Sequence, residues 1–328
     1  MGIRGLKQLL KSKSPAVTPE WKQFEKTKVG IDILPFLYNA KKQHLCIITC
    51  IAMMVEYFRS KQIEPIFFFD GKPPSEKKEV VKERSDERSS ITTRLEHLTQ
   101  ELVDGPDKEL VEHEIRQLQT LNPTVSYVER DVVKKSLYTM GVRYVNAMGE
   151  SDPLLAYLAK TKVLSAVISP DMDMLARGIE HLIMVNEMGD YVEYTLSTIL
   201  KNLSLTMSQF QIMCVLMGTD YTPNVRYISA QIAYRTIVSS SDITLRRAWI
   251  DLRQRESDLP RLERAFTLLA GTEDTFEKLL NEKELRRWHA DPPKVEPEEF
   301  SLLQATYFPT LRMDFLQTPI VDISAGTT

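Results

Sequence analysis

Apolar positions along the chain change period several times. Ile3, Leu6, Leu9 and Leu10 recur at helical spacing, which predicts a short amphipathic helix over residues 3–12. Residues 28–34 (KVGIDIL) and 65–70 (PIFFFD) are short apolar runs rich in β-formers, each ending near an aspartate, and 45–59 between them reads as a buried helix. Strand, helix, strand in that order predicts a parallel α/β sheet. Further strands are expected at 143–146 and 166–169, with a helix over 152–162 between them. Residues 181–185 and 191–194 read as a hairpin that turns at Met188-Gly189-Asp190.

Residues 76–121 interrupt this pattern. They are charged, helix-forming and punctuated only by Gly105-Pro106, so two helices joined there are expected, inserted between the second strand and the rest of the sheet. Residues 76–118 hold 8 Lys/Arg against 12 Asp/Glu, which by charge alone describes a solvated helical pair. From residue 206 onward the chain reads as helical, with a turn at Ser239-Ser240-Ser241 and a polar linker opening at Asp291-Pro292-Pro293.

Composition narrows the class. The 328 residues allow one large domain, or one core with a sizeable insertion. At 43% hydrophobic and 27% charged the chain is an ordinary globular one. The net charge of -3 means that any nucleic-acid binding must rest on where charges sit rather than on their sum. Cys46, Cys50 and Cys214 form no C-x-x-C pair, so a structural zinc site and a disulfide framework are not expected, and a reducing compartment is. The start MGIRGL has no signal-peptide run, and the apolar stretch 45–55 is too short to span a bilayer, so an intracellular, soluble protein without a targeting signal is expected.

The acids carry the chemistry. In parallel α/β sheets ligands bind beyond the carboxyl ends of the strands. Asp32 and Asp70 lie at such ends, as do Asp171 and Asp173 after the strand at 166–169. Glu150 and Asp152 sit where a strand gives way to a helix, with Pro153 suited to its first turn. Asp220 follows the apolar helix over 210–217. A single acid at a strand end often only caps a helix or a turn. Seven that converge need hard cations to offset them. Two Mg²⁺ ions, with Mn²⁺ able to substitute, are the usual solution, and they serve in-line phosphodiester cleavage.

These residues fall in motifs. MGIRGL at the start, VGID at Asp32, FDGKPP at Asp70, GESD at Glu150, SPDMDMLARG at Asp171 and MGTDY at Asp220 occur in one order over residues 1 to about 240. In this the chain resembles the flap endonuclease family of structure-specific 5′ nucleases, with its XPG-type and exonuclease relatives. The resemblance implies a PIN-like α/β fold: a twisted, mainly parallel sheet flanked by helices, a helical arch insertion and a C-terminal helical region. It divides the chain into a nuclease core over 1–255, with the arch at about 72–122 and a helix-turn-helix-like duplex-binding region at about 206–240, and a helical extension over 256–328. It implies a two-metal nuclease acting on 5′ flaps and related branched DNA in replication, repair or recombination. Asp32, Asp70, Glu150, Asp152, Asp171, Asp173 and Asp220 match its metal acids, and Lys77 and Arg84 its catalytic cations. One helix places i and i+7 on the same face, so both cations can reach one scissile phosphate. Tyr38 matches a tyrosine that stacks on a base near the cleavage point, although ordinary packing also explains a tyrosine there. Gly2 matches a small residue beside the active site, and Arg88 extends the cationic face of the arch.

The chain departs from the family in three places. Asp152 is one methylene shorter than the family's glutamate. Pro170 precedes Asp171 where an acidic or polar residue is common. After Asp220 the family's glycine hairpin, Gly-Ile-Gly-Pro-Lys-Arg, is replaced by Arg226-Tyr227-Ile228-Ser229-Ala230-Gln231-Ile232, in which Arg226 is the one remaining cation. Weaker duplex anchoring without potassium dependence is expected from that loss. The sliding-clamp box and basic tail are absent, and a monomer bound to DNA with a 5′ flap or branched or single-stranded 5′ end, with no membrane partner, is expected. It would act in the nucleus or another site of DNA replication, a viral replication compartment included. A catalytically silent member of the fold that binds nucleic acid or protein is the alternative; among enzymes, a 5′-3′ exonuclease or junction resolvase is.

Overall fold

The computed structural model describes residues 2–104, 108–121, 123–222, 228–239, 243–271, 274–294 and 297–307. The chain enters through helix α1 (Leu6–Lys13), which buries Leu6, Leu9 and Leu10 on one face. Strand β1 (Lys28–Asp32), helices α2 (Ile33–Lys42) and α3 (Ile47–Ser60) and strand β2 (Glu64–Phe69) follow. The insertion is a pair of helices, α4 (Lys78–Asp104) and α5 (Lys108–Leu121), packed side by side and tied by Arg94 to Glu114 at 3.0 Å. The expected joint at Gly105-Pro106 lies outside the described residues. Then come α6 (Tyr127–Thr139), β3 (Tyr144–Asn146), α7 (Ser151–Lys160), β4 (Ala166–Ile168), the single turn α8 (Asp173–Ala176), and the hairpin β5 (His181–Val185) and β6 (Tyr191–Thr195). The rest is helical: α9 (Leu196–Leu203), α10 (Met207–Met217), α11 (Ala230–Val238), α12 (Leu245–Asp251), α13 (Leu259–Ala270), α14 (Phe276–Leu279), α15 (Glu282–His289) and α16 (Pro297–Tyr307).

One sheet holds all six strands in the order β3-β2-β1-β4-β5-β6, with only β6 antiparallel. Side chains alternate between its faces, as the two-residue period of a strand requires. Ile66, Phe68, Val145, Val167 and Leu182 pack on one side with α1, α7, α10 and α13. Val29, Ile31, Phe67, Phe69, Ile168 and Ile183 pack on the other with α2, α3 and α6. A parallel sheet covered on both faces explains why its strands read as continuous apolar runs. Each fully buried Leu, Ile or Phe side chain contributes about 1.5–3 kcal/mol.

The structure shortens the first expected strand. Ile33 and Leu34 begin α2 rather than extending β1. Pro35 falls in the first turn of that helix, where its missing N–H has no partner to lose. The apolar run over 28–34 therefore belongs to two elements, and nothing in its hydrophobicity marks the change.

Candidate functional site

Strands β1 to β4 are parallel, so their carboxyl ends share one edge of the sheet. The chain runs outward through β2 and β3 and then returns through β4, which makes β1–β4 the point where strand order reverses. Asp32 ends β1 and Asp70 follows β2 directly. Glu150 occupies the N-cap of α7 and Asp152 its first turn, while Asp173 opens α8 two residues after Asp171. Asp220 sits just past α10.

Short bonds fix these acids. The Ser169 hydroxyl donates to Asp32 Oδ2 at 2.9 Å, and the Ser151 amide and hydroxyl both donate to Asp70 Oδ1 at 2.7 Å. The Asp173 amide donates to Asp171 Oδ1 at 2.9 Å, and the Ile3 amide to Asp173 Oδ1 at 2.7 Å. This last bond brings the start of the chain into the site. Gly2, at φ 110°, passes so close that a β-carbon would stand 2.4 Å from Asp171 Oδ1 and 2.9 Å from Asp173 Oδ1. Glycine is required there by both conformation and space. Gly30 serves the same site indirectly: a β-carbon on β1 would collide with Leu155 at 2.5 Å, so its absence lets α7 and its acids settle against the strand.

Burial and mutual repulsion raise four of the carboxyls, Asp32, Asp152, Asp171 and Asp173. Burial is the first cause at each. Asp171 is pushed up to about 8, with Asp173 adding to the effect of burial. Asp152 reaches about 7, where Arg177 pulls against burial, and Asp173 about 6, where Asp220 adds to it. Asp32 is held well above the ordinary carboxylate range by burial, then by Asp152 and Asp70.

Cations from three elements meet this cluster. Lys77, in the turn before α4 and 8% exposed, places Nζ 2.7 Å from Glu150 Oε1 and 3.8 Å from Asp220 Oδ2. Burial disfavours its charge, but Tyr221 and Glu150, with Asp152, outweigh that and hold the ammonium above the usual lysine range. Arg84 reaches Asp220 Oδ2 at 2.8 Å from α4, about two turns beyond Lys77. Both cations of the i, i+7 pair thus touch the same carboxylate, while Lys78 and Lys82 remain exposed.

Two further groups were not singled out from the sequence. Arg177 is 2% exposed, and its guanidinium donates to the Tyr221 hydroxyl and, at 3.1 Å, to the Leu268 carbonyl on α13. Tyr221 in turn donates to Glu150 Oε2 at 3.1 Å, and Lys77 Nζ stands 4.8 Å from its ring centroid. Burial opposes the charge of Arg177, but Tyr221, Asp152, Glu150 and Asp173 hold it in the cationic form. The signal was there in Met174-Leu175-Ala176-Arg177, since a cation inside an apolar stretch is seldom buried without acids to meet it.

Carboxylates are the donors that hard divalent ions take, seven could serve here, and a glycine clears the approach to two of them. Among the described residues no three of these acids close round one point as ligands do. Their charge is met instead by Lys77, Arg84 and Arg177.

The remaining candidates sit at the rim or beyond it. Tyr38 on α2 is half-buried, and the Arg88 guanidinium on α4 lies 5.6 Å from its ring centroid. The arch therefore covers the tyrosine directly. Arg226 lies outside the described residues. No helix among the described residues is long and apolar enough to cross a membrane.

Residues 1–91 match the XPG N-terminal domain and residues 141–220 the XPG I-region. Flap endonuclease 1-A of Sorghum bicolor is 32% identical over 260 residues, covering 72% of this chain and 66% of its own. Flap endonuclease 1-B of Physcomitrium patens is 31% identical over 260 residues, covering 72% of each. The chain spans 61% of Flap endonuclease 1-B of Oryza sativa, so it matches rather under two thirds of several relatives' length. Among solved structures, the catalytic core of Rad2 in complex with DNA substrate aligns at a TM-score of 0.61, with 15% identity over 98% of this chain and 100% of that one. Flap endonuclease-1 from Methanococcus jannaschii aligns at 0.56, with 18% identity over 81% and 84%. The Holliday junction-resolving enzyme GEN1 in complex with product DNA and Mg²⁺ aligns at 0.50, with 16% identity over 92% and 68%.

Proposed function

The chain belongs to the flap endonuclease/XPG family, and from that premise we propose that it is a structure-specific 5′ nuclease that hydrolyses DNA phosphodiesters at 5′ flaps and related branched ends. One observation carries the reading. Acids from five separate stretches of chain meet at one sheet edge, and the two cations at the base of the arch bond directly to them.

Asp32, Asp70, Glu150, Asp152, Asp171, Asp173 and Asp220 would hold two divalent ions, Mg²⁺ with Mn²⁺ able to substitute. Such a pair supplies an activated water and neutralises the oxygen that leaves. The protein's own groups do the rest. Lys77 and Arg84 stand where a phosphate must lie to reach the acids, and their fixed charge stabilises negative charge that builds on its oxygens. Gly2 leaves room for that phosphate. Tyr38 offers a ring for a base beside the scissile bond once Arg88 moves off it, and stacking of that kind accepts any base. Serines 151 and 169 keep Asp70 and Asp32 from turning away. The helical pair α4 and α5, held at its base by Lys77 and Arg84, would sort substrates by shape rather than sequence.

The test is Asp171→Asn. In Mg²⁺ the wild type should cut an end-labelled 5′-flap substrate near its junction. The variant should lose cleavage while binding the same DNA as well or better, because one negative charge beside the phosphate is gone. Retained turnover in the variant would overturn the metal assignment. Cleavage lost together with DNA binding would move Asp171 to a structural role.

A further inference from the structure

Charge on this molecule is distributed unevenly. Residues 2–19 contain no acid, and Asp220 is the single acid between Glu193 and Asp242. The helices built from these stretches pack together. The α1 surface rests against α9 and α11, with Asn202 donating to Ser14 Oγ at 3.1 Å, Lys13 Nζ 4.6 Å from the Tyr234 ring centroid, and Gly5 against Ala230. Lys7 and Lys11, four residues apart, share the exposed side of α1, and exposed Arg4 precedes the helix beside Gly218, so the three form a basic stripe that starts at the approach to α1. None of the three makes an ion pair among the described residues, although many surface cations elsewhere do. The stripe begins at the acid cluster, since Ile3 is bonded to Asp173 and the Arg4 amide to the Gly218 carbonyl. From there it runs along α1, a helix of eight residues about 12 Å long.

We propose that this stripe is a docking surface for the phosphate backbone of duplex DNA, a proposal that rests on the nuclease reading above. Three properties select that partner. The exposed face of α1 presents Lys7, Gln8, Lys11, Ser12 and Lys13 and no aromatic ring, so it offers phosphate contacts without the stacking platforms that hold single strands. Its apolar face, Leu6, Leu9 and Leu10, is fully engaged in the core, so the helix cannot lay that face into a membrane. Its position beside the acids places a bound duplex with one end at the site of cleavage. The stripe supplies cations that the segment after Asp220 does not, since residues 226–232 hold Arg226 alone.

The test compares three full-length proteins in EDTA: wild type, Lys7→Gln/Lys11→Gln, and Lys22→Gln/Lys26→Gln as an equal loss of charge away from α1. Binding to a fluorescent 5′-flap substrate is followed by anisotropy from 50 to 200 mM salt. Each phosphate contact contributes about 0.9 to the slope of log affinity against log salt. The α1 variant should therefore show a slope shallower by about 1.8, so that the wild type loses about 12-fold more affinity than the variant across that range. The control pair should keep the wild-type slope, and a thermal scan should show all three folded. An unchanged slope in the α1 variant overturns the proposal, as does an equal change in both variants, which would show net charge alone at work. A wild type that binds no DNA at any salt would instead overturn the nuclease reading itself.

Discussion

A buried carboxyl whose titration is raised toward neutral pH by burial and by its acidic neighbours makes stability depend on pH in a defined direction. Asp171, Asp152 and Asp173 stand at about 8, 7 and 6 in the folded chain, against about 4 for an unfolded aspartate. Between those values the folded state binds more protons, so this part of its stability is complete below about pH 4 and is lost as pH rises through 6 to 8. In EDTA the melting temperature of the wild type should fall over that range. Asp171→Asn, which cannot ionise, should fall less, and Mg²⁺ should restore the wild type at pH 8. His181, raised by its hydrogen bond to Glu193, also makes stability depend on pH, so the difference between the two proteins is the quantity to read. Parallel curves would contradict the account. Arg177→Met leaves Glu150, Asp152 and Asp173 with less opposing charge; a buried partner lost in this way costs about 3–5 kcal/mol. Chemical denaturation should show a greater loss at pH 8 than at pH 6, because at pH 6 protons can replace the guanidinium. Lys77→Ala should lower the single-turnover cleavage rate far more than DNA affinity, and a pure affinity loss would make Lys77 a binding group.

The arch is fastened at its base as well as at the acids. Arg261 and Arg264 on α13 pair with Glu79 at 2.6 Å and Glu76 at 3.1 Å, while the same helix caps the guanidinium of Arg177 through Leu268. Exposed pairs of this kind are worth about 0–1 kcal/mol each, so Arg261→Ala/Arg264→Ala should leave global stability nearly unchanged. It should nevertheless speed limited proteolysis within α4 several-fold, and unchanged cutting would show that α13 does not hold the arch. The sheet was legible because its central strands β1 and β2 are β-rich runs that end at Asp32 and Asp70, and the edge on which the acids gather follows from strands running one way. Helix α2 was not, because Ile33 and Leu34 continue the apolar run of β1 and a buried strand and a buried helix look alike over two residues. The link from α13 to the site was hidden for a different reason: Arg177 and Leu268 lie far apart in sequence, and periodicity carries no information about which distant carbonyl meets a buried cation.

At the scale of the whole molecule a net charge of -3 conceals two opposed fields. Acids concentrate at the carboxyl edge of the sheet, and the acid-free surface of α1, α9 and α11 begins beside them. A phosphate chain drawn along the second arrives at the first, where Lys77 and Arg84 wait on the acids that need ions. The measurement that tests this most directly is cleavage of end-labelled 5′-flap, nicked, blunt duplex and single-stranded DNA, each with Mg²⁺ and with EDTA. The account predicts Mg²⁺-dependent products at the flap junction, with the flap cut faster than blunt duplex or single strand. No cleavage of any substrate in Mg²⁺ while the protein still binds DNA would contradict it, and would make the chain a silent member of its fold.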